Sequence, residues 1–247
     1  MSVLLDVKNL TKKFERFKLD DVSFSIDPGR ICGFVGINGA GKSTTIKLIS
    51  NLLLPDNGEI IFQGKKLKDK KLFEKIGFVP DACKFYGDFT VGQAKKLIAG
   101  LFEQWDESEY KKYSKVFNLD AKKKISELSK GMKMQFSLAL ALSHQAELLI
   151  MDEPTSGLDP FIRNQVLSIL KEFVSDGKKS VLFSTHITSD LEKTADQIVF
   201  IHGGKIIFSE EMNRLPTLSR DKLNKEWQTL DDFILGYIER LSQKEGN

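Results

Sequence analysis

The sequence has few cysteines and no long apolar run, and each of these absences excludes a class of protein. Among its 247 residues there are only two cysteines, Cys32 and Cys83, so no disulfide framework is indicated. No apolar run approaches the roughly 20 residues that a membrane-spanning helix needs. The first residues also lack the basic segment and apolar core of a secretory leader. We therefore expect a cytoplasmic protein, and any membrane-spanning part would belong to another chain.

The sequence also lacks a strong excess of charge of either sign. It carries 37 Lys and Arg against 34 Asp and Glu, and the resulting net charge of +3 is too small to indicate nucleic-acid binding. Lysines cluster in residues 65–75 and 122–124. Such patches are typical of solvated surface, although a lipid or nucleic-acid contact is an alternative. A chain of this length can bury one large core, or a core and a subdomain.

The most informative motif that is present is Gly-Ile-Asn-Gly-Ala-Gly-Lys-Ser at residues 36–43. It follows a short apolar run, residues 31–35, and precedes a helical pattern that starts at Thr44. The G-x-x-x-x-G-K-S spacing lets glycines curl the backbone so that N–H groups and a helix N-terminus point at phosphate oxygens. The sequence therefore predicts nucleoside triphosphate binding. The predicted nucleotide-binding residues of this loop are Gly36, Asn38, Gly39, Ala40, Gly41, Lys42, Ser43 and Thr44.

Hydrolysis requires further groups, and the sequence supplies candidates at the ends of two later strands. We expect Lys42 to reach the β- and γ-phosphates and the Ser43 hydroxyl to bind Mg²⁺. Asp152, at the end of the apolar run 148–151, is a second candidate metal ligand, and Glu153 can polarise water as a general base. His186 follows the run 181–185 and is a candidate for γ-phosphate contact. A lone histidine in a structural role is the alternative.

Apolar periodicity predicts the order of the elements. Alternating runs at residues 4–7 and 22–26 predict a small antiparallel sheet before the loop. Strand patterns occur at 76–79, 148–151 and 180–183 and in the hairpin 197–208. Because helical stretches separate the first two of the later strands, at 148–151 and 180–183, we expect a mostly parallel α/β core. Residues 91–144 are mostly helical in pattern. A final amphipathic helix, with Leu230, Phe233 and Tyr237 on its apolar side, either docks on the core or contacts a partner.

Several motifs in this order resemble the ATP-binding subunit of ABC transporters, over nearly the whole chain through about residue 210. Leu128–Met132 resembles the LSGGQ signature, and residues 152–159 match the Walker B and D-loop run. His186 matches the switch histidine, and Phe14 matches an aromatic residue that stacks on adenine. The resemblance implies an α/β fold of the P-loop NTPase, ABC ATPase type. This fold has a mostly parallel sheet core, an antiparallel β subdomain and an inserted α-helical subdomain.

The resemblance also implies domain boundaries and a dimer. We expect an ATPase domain at residues 1–215, with a core at 1–85 and 146–215 and a helical subdomain at 86–145, and a helical extension at 216–247. Two nucleotide domains would pair head to tail, as a homodimer or with a paralogue, around two ATP molecules. Ser129, Lys130 and Gly131 of the signature would face the partner's ATP. Asp159 is the D-loop residue.

Three positions depart from the family pattern. Lys130 replaces the first Gly of the signature and Met132 replaces its Gln, as in bacterial exporter subunits whose membrane partner is a separate chain. Asp81 stands where the family has Gln or Glu, and it is a candidate metal ligand through water. The segment behind it, with Phe85, Tyr86 and Phe89, corresponds to the surface that receives a coupling helix, although these aromatics could equally be core residues.

The resemblance therefore implies an ATP- and Mg²⁺-dependent ATPase on the cytoplasmic face of the membrane, attached through a separate transmembrane permease. Export of a peptide, antibiotic or lipid-like compound is the leading hypothesis, and no nucleic-acid partner is expected. An ABC-type ATPase acting on ribosomes or nucleic acid is the alternative, although such proteins usually carry two nucleotide domains or a long coiled-coil insertion. A GTP switch is a third class, but no guanine-reading N/T-K-x-D motif follows a strand.

Overall fold

The chain forms two β-sheets with helices packed around them. The computed structural model describes residues 3–82, 85–223 and 228–245, and Cys83 lies outside these ranges. The strands are β1 (Leu5–Lys13), β2 (Lys18–Ile26), β3 (Ile31–Val35), β4 (Asn57–Phe62), β5 (Lys65–Lys66), β6 (Ile76–Val79), β7 (Leu148–Asp152), β8 (Ser180–Ser184), β9 (Gln197–His202) and β10 (Lys205–Glu211). The helices are α1 (Lys42–Ile49), α2 (Lys70–Phe73), α3 (Val91–Ala99), α4 (Glu107–Val116), α5 (Lys130–Leu142), α6 (Pro160–Val174), α7 (Thr188–Thr194), α8 (Leu215–Leu223) and α9 (Leu230–Glu245). None of the helices within the described ranges is both long enough and apolar enough to span a bilayer.

The larger sheet has the strand order β10-β9-β3-β8-β7-β6. Strand β3 pairs in parallel with β8 and β9, β7 pairs in parallel with β6 and β8, and β10 runs antiparallel to β9. This arrangement confirms the predicted mostly parallel α/β core. Because the carboxyl ends of parallel strands meet at one edge of a sheet, the segments after β3, β7 and β8 lie close together.

The smaller sheet is antiparallel, as predicted, and its strand order is β2-β1-β4-β5. The prediction placed this sheet before the phosphate-binding loop, but β4 and β5 follow that loop in the chain. Strand β1 is longer than its sequence pattern indicated. Asn9 has a positive φ of 51°, and the register between β1 and β2 shifts between Val7 and Leu10. Such a bulge interrupts the alternation of apolar and polar residues although the strand continues.

Both faces of the parallel sheet are covered. On β3, Ile31 and Val35 face the core that includes α5, α6 and α9, whereas Cys32 and Phe34 face the core that includes α1 and the antiparallel sheet. All five residues of β3 are buried. Because neither face meets water, the strand is a continuous apolar run and not an alternating one, which made it easy to predict.

The predicted helical segment lies between β6 and β7 and contains α3, α4 and α5. Each helix has a side-chain cap at its N-terminus, from Thr90, Asp106 and Ser129 respectively. These caps satisfy backbone N–H groups that have no partner inside the helix. The helical character of this segment agrees with the predicted fold, whereas the boundaries at residues 85, 145 and 215 stay predictions.

The C-terminal helix α9 docks on the chain's own core. Thr229 caps it, because its hydroxyl accepts a hydrogen bond from the Asp232 N–H at 3.2 Å. Phe233 and Tyr237 are buried, and their rings lie 5.4 and 5.2 Å from the ring of Phe208 on β10. Of the two predicted roles for this apolar stripe, the structure therefore supports docking on the core.

Candidate functional site

The loop between β3 and α1 depends on glycine at several positions. Gly39 and Gly41 have φ values of +80° and +117°, which lie in the left-handed region that side chains disfavour. A Cβ at Gly36 would lie 2.4 Å from the Ile201 carbonyl oxygen, so only glycine fits there. Gly41 is the N-cap of α1 and has no side chain to satisfy the first N–H groups of that helix. The loop thus presents backbone donors and a helix N-terminus, which suit an anion.

The Lys42 side chain lies inside this loop and is 7% exposed. Its Nζ donates to the Gly36 carbonyl oxygen at 2.6 Å and lies 4.0 Å from Glu153 Oε1. Burial lowers the pKa of Lys42, and the Glu153 and Asp152 carboxylates oppose that shift. The ammonium group is therefore placed to bind an anion. In the rest of the loop Asn38 and Ser43 are exposed, whereas Ala40 is buried and Thr44 is half-buried.

Ser43 and Asp152 converge from two elements. The Ser43 hydroxyl donates to Asp152 Oδ1 at 3.3 Å, and the same carboxylate oxygen accepts from the Ser184 hydroxyl at 2.6 Å. A hydroxyl and a carboxylate are oxygen donors, which Mg²⁺ prefers. This donor set fits Mg²⁺, and Ser43 and Asp152 could hold it. Ser184 was not predicted; it occupies the last position of β8, next to Asp152 on β7.

Glu153 and His186 form a close pair at the same sheet edge. His186 donates from its backbone N at 3.3 Å and from Nδ1 at 2.7 Å, both to Glu153 Oε2. The Glu153 backbone N–H donates to the Ser184 carbonyl oxygen at 3.1 Å. The second carboxylate oxygen, Oε1, is left facing Lys42. The predicted base and switch histidine are therefore in contact, whereas a phosphate contact of His186 stays a prediction.

Asp81 is not in contact with Ser43 or Asp152. Its Oδ1 forms an ion pair with Lys130 Nζ at 2.8 Å, and both side chains are exposed. Asp81 and Lys130, which we expect to depart from the family pattern, thus contact each other. Metal binding by Asp81 stays a prediction, and in this structure its carboxylate is paired with the Lys130 ammonium group.

Two aromatic side chains, Phe14 and Phe17, lie beside the phosphate-binding loop. Of these, only Phe14 was predicted from the sequence. Phe14 is 46% exposed, and its ring centroid is 6.2 Å from that of Phe17. A Cβ at Gly41 would lie 3.1 Å from Phe17 Cζ, so Phe17 packs directly against the loop. An exposed aromatic face next to a phosphate site could stack on a base. The sequence could have indicated Phe17 as well, because it follows Phe14 by three residues in the same segment between two strands.

Ser129 of the signature caps α5 and Asp159 of the D-loop caps α6, and the segments that carry these two caps are adjacent. Ser129 accepts from the Met132 N–H at 3.2 Å, and Asp159 accepts from the Phe161 and Ile162 N–H groups at 3.0 Å each. A Cβ at Gly131 would lie 3.1 Å from Leu158 Cδ2, so the two segments are adjacent. No hydrogen bond or ion pair within the described ranges joins residues 129–131 to the phosphate-binding loop. The predicted contact of the signature with a partner's ATP stays a prediction.

Comparison with known proteins identifies the family of this chain. The sequence profile described as ABC transporter matches residues 19–156, which include the phosphate-binding loop, Asp152 and Glu153. The chain belongs to the ABC transporter family. Members of this family hydrolyse ATP, and this chain is such an ATPase. The predicted fold class is confirmed at the same time.

Individual relatives are similar over most of the chain. The bacitracin transport ATP-binding protein BcrA of Enterococcus faecalis is 30% identical over 96% of this chain and 78% of its own length. The lantibiotic transport ATP-binding protein SrtF of Streptococcus pyogenes is 34% identical over 84% of this chain and 91% of its own length. A solved ATP-binding subunit of an ABC transporter superposes with a TM-score of 0.83 at 29% identity, covering 94% of this chain and 98% of its own.

Proposed function

We propose that this chain is the ATPase subunit that drives export of a peptide, antibiotic or lipid-like compound through a separate membrane-spanning subunit. The observation that carries the proposal is the Glu153–His186 contact, set beside Lys42 and Asp152 at one sheet edge. The arrangement combines an anion-binding loop with a base and oxygen ligands for a metal. Such a combination suits phosphoryl transfer to water.

The bound triphosphate is held by backbone and side-chain donors of the loop. The N–H groups at residues 36–43 and the N-terminus of α1 face the phosphate oxygens, and the Lys42 ammonium neutralises charge on the β- and γ-phosphates. Phe14 stacks on the adenine ring. Ser43 and Asp152 would hold Mg²⁺, which offsets negative charge on the phosphate oxygens when bound. Asp81 is a further metal ligand through water if its pair with Lys130 opens.

Glu153 is the general base of this scheme. The carboxylate accepts a proton from a water molecule as the water oxygen forms a bond to the γ-phosphorus. The bond to the bridging oxygen breaks, and ADP leaves with the electron pair. Because His186 holds Oε2 through two donors, Oε1 is the oxygen that remains for the water. His186 thereby orients the base, in addition to its predicted contact with the γ-phosphate.

The working unit is a dimer with two ATP molecules at its interface. Ser129 and Gly131 begin α5, so a hydroxyl, backbone N–H groups and a helix dipole are available to the γ-phosphate bound by the other copy. Lys130 adds a positive charge there, and Asp159 lies on the adjoining segment. Loss of the γ-phosphate removes the charge that joins the two copies. The dimer then opens, and this motion drives the membrane subunit.

The membrane subunit docks next to Asp81. An apolar groove of about 240 Å³ lies between β6 and the helical segment, and Phe78, Phe85, Phe102 and His144 are among its lining residues. Phe85 is half-buried, and its ring centroid lies 5.1 Å from that of Phe136, so Phe85 lies partly in the core and partly in the groove. Tyr86, beside it, is 77% exposed. A short amphipathic helix from a permease suits such a groove.

The cargo class rests on the relatives. Proteins named for bacitracin and lantibiotic transport are similar to this chain over 96% and 84% of its length. Bacitracin and lantibiotics are peptide antibiotics, so export of a peptide is the most specific form of the proposal. The chain itself attaches to the cytoplasmic face of the membrane through its permease.

Glu153→Gln tests the hydrolysis scheme. The amide cannot accept the proton, so we expect ATP binding to persist, turnover to fall at least a hundredfold and the dimer to accumulate on size-exclusion chromatography with ATP. Glu172→Gln, an exposed substitution on α6, is the matched control and should behave like the native chain. Turnover retained in Glu153→Gln would remove Glu153 as the base.

A further inference from the structure

Near the Glu153–His186 pair lies a polar network with a buried centre that the hydrolysis scheme does not use. Its centre is Asp190 on α7, whose side chain has no exposed surface. Asp190 Oδ2 accepts from the Thr155 hydroxyl at 2.7 Å, and Oδ1 accepts from Arg163 Nε at 2.6 Å. Arg163 Nη2 also donates to the Ser189 hydroxyl at 3.0 Å. Both carboxylate oxygens therefore have donors, and a guanidinium balances the buried charge.

The network joins the two segments that carry the proposed base and its histidine. Thr155 is two residues after Glu153, and Asp190 is four residues after His186. Arg163 lies on the first turns of α6, whose N-cap is Asp159. The Asp190 carboxylate thus connects the segment after β8, on which it lies, with the segment after β7 and with helix α6.

The segment from Glu153 to Asp159 has little regular structure of its own, so its position depends on contacts such as the Thr155–Asp190 hydrogen bond. Glu153 and Gly157 both have positive φ, +50° and +74°, so this backbone does not belong to a strand or a helix. Its own backbone bonds are two turn contacts, from Ser156 to Glu153 at 3.2 Å and from Leu158 to Thr155 at 3.3 Å. The buried, charge-assisted hydrogen bond from Thr155 to Asp190 holds this segment in place, which the two turn contacts alone do not.

We propose that Asp190 is a positioning residue that sets the separation between Glu153 and His186. It acts through Thr155 on one segment and through its own helix on the other, and it does not touch the substrate. The proposal rests on the roles given above to Glu153 and His186. A shift of about 1 Å in a catalytic group is enough to lower turnover strongly while substrate binding is kept.

The test uses the Thr155→Val variant of the full chain, because valine keeps the shape and removes the hydroxyl. We expect kcat for ATP hydrolysis to fall at least tenfold and KM for ATP to stay within twofold, since the phosphate-binding loop is not touched. Thr155→Ser restores most of the turnover because it restores the donor. Thr194→Val is the matched control: the Thr194 hydroxyl donates to the Asp190 backbone oxygen at 2.5 Å and not to its carboxylate.

A second readout does not depend on hydrolysis. The ¹⁵N NMR signal of His186 Nδ1 reports its bond to Glu153, and it should change in Thr155→Val but not in Thr194→Val. If Thr155→Val does not fold, Arg163→Lys keeps the charge, removes the Nε donor and should give the same two changes in weaker form. This NMR readout still tests the positioning role even if Glu153→Gln retains turnover and the hydrolysis scheme fails.

Two results would overturn the positioning role. One is an unchanged kcat together with an unchanged His186 signal in Thr155→Val. The other is an equal loss of kcat and of thermal stability in Thr155→Val and Thr194→Val, because that would reflect packing alone.

Discussion

Glu153 has a backbone φ of +50°, a left-handed conformation that non-glycine residues adopt at a cost of about 1–3 kcal/mol. Its backbone N–H is held by the Ser184 carbonyl oxygen and hydroxyl, at 3.1 and 3.2 Å, and its side chain by His186. The surroundings therefore offset the strain. The result is a carboxylate turned from the end of β7 toward Lys42, which a regular strand conformation would not give.

Phe14 provides a test of the proposed adenine contact. Phe14→Ala removes the exposed ring, and we expect the Kd for ATP, measured by isothermal titration calorimetry, to rise several-fold, equivalent to about 1 kcal/mol. The half-buried Phe17 still packs against the loop in this variant. Leu235→Ala, at an exposed position on α9, is the control. Unchanged affinity in Phe14→Ala would place the adenine contact elsewhere.

At the scale of elements, the Asp81–Lys130 pair joins the end of β6 to the start of α5. Lys130 is the first residue of α5, where the positive end of the helix dipole makes a cation unfavourable. Asp81 offsets that charge with a contact of 2.8 Å. Lys130 is thus compatible with a helix N-terminus because the acidic Asp81 side chain pairs with it.

Exchange of the two charges tests this compensation. We expect Asp81→Asn to lower the free energy of unfolding, measured in urea, by less than about 1 kcal/mol because the pair is exposed. The double variant Asp81→Lys with Lys130→Asp should be at least as stable as the native chain, since the pair re-forms with the acidic residue at the helix N-terminus. If the double variant is less stable than Asp81→Asn alone, the contact is not compensatory.

On the scale of the whole molecule, the parallel sheet separates two cores and carries the site on one edge. Strand β6 ends at Val79 on that edge, and Asp81 follows. The apolar groove, which includes Phe78 of β6 and Phe85, therefore lies close to the same edge. The Asp81–Lys130 ion pair therefore lies close to the surface proposed for the permease, and breaking the pair would change the structure next to that surface. This arrangement suits a subunit that converts nucleotide chemistry into movement of a neighbour.

The permease itself can be sought directly. Affinity purification of the chain from detergent-solubilised native cells, with mass spectrometry, should recover a multi-span membrane protein. Tyr86→Asp, which places a charge at the exposed residue that follows Phe85 in the chain, should reduce that recovery, whereas Leu235→Asp on α9 should not. Recovery of ribosomes or nucleic-acid enzymes in place of a membrane protein would contradict the transport function and leave the ATPase chemistry intact.

Much of the fold and site could be predicted because the relevant patterns are local. Strands β3 and β6 begin and end at the predicted residues, since buried parallel strands are continuous apolar runs with clear ends. The ends of β1 were wrong because a bulge at Asn9 interrupts its alternation. The pattern in residues 91–144 was mostly helical, without a clear strand, and did not by itself separate α3, α4 and α5.

The sequence by itself determined the phosphate-binding loop, the acidic pair after β7 and hence the family, because these motifs are contiguous and their chemistry depends on neighbouring backbone groups. Only the tertiary structure decided which distant side chains meet. Thr155 and Asp190 are 35 residues apart in the chain, and Asp81 and Lys130 are 49 apart. No local pattern encodes such contacts, since they depend on how strands order in the sheet and how helices pack on it.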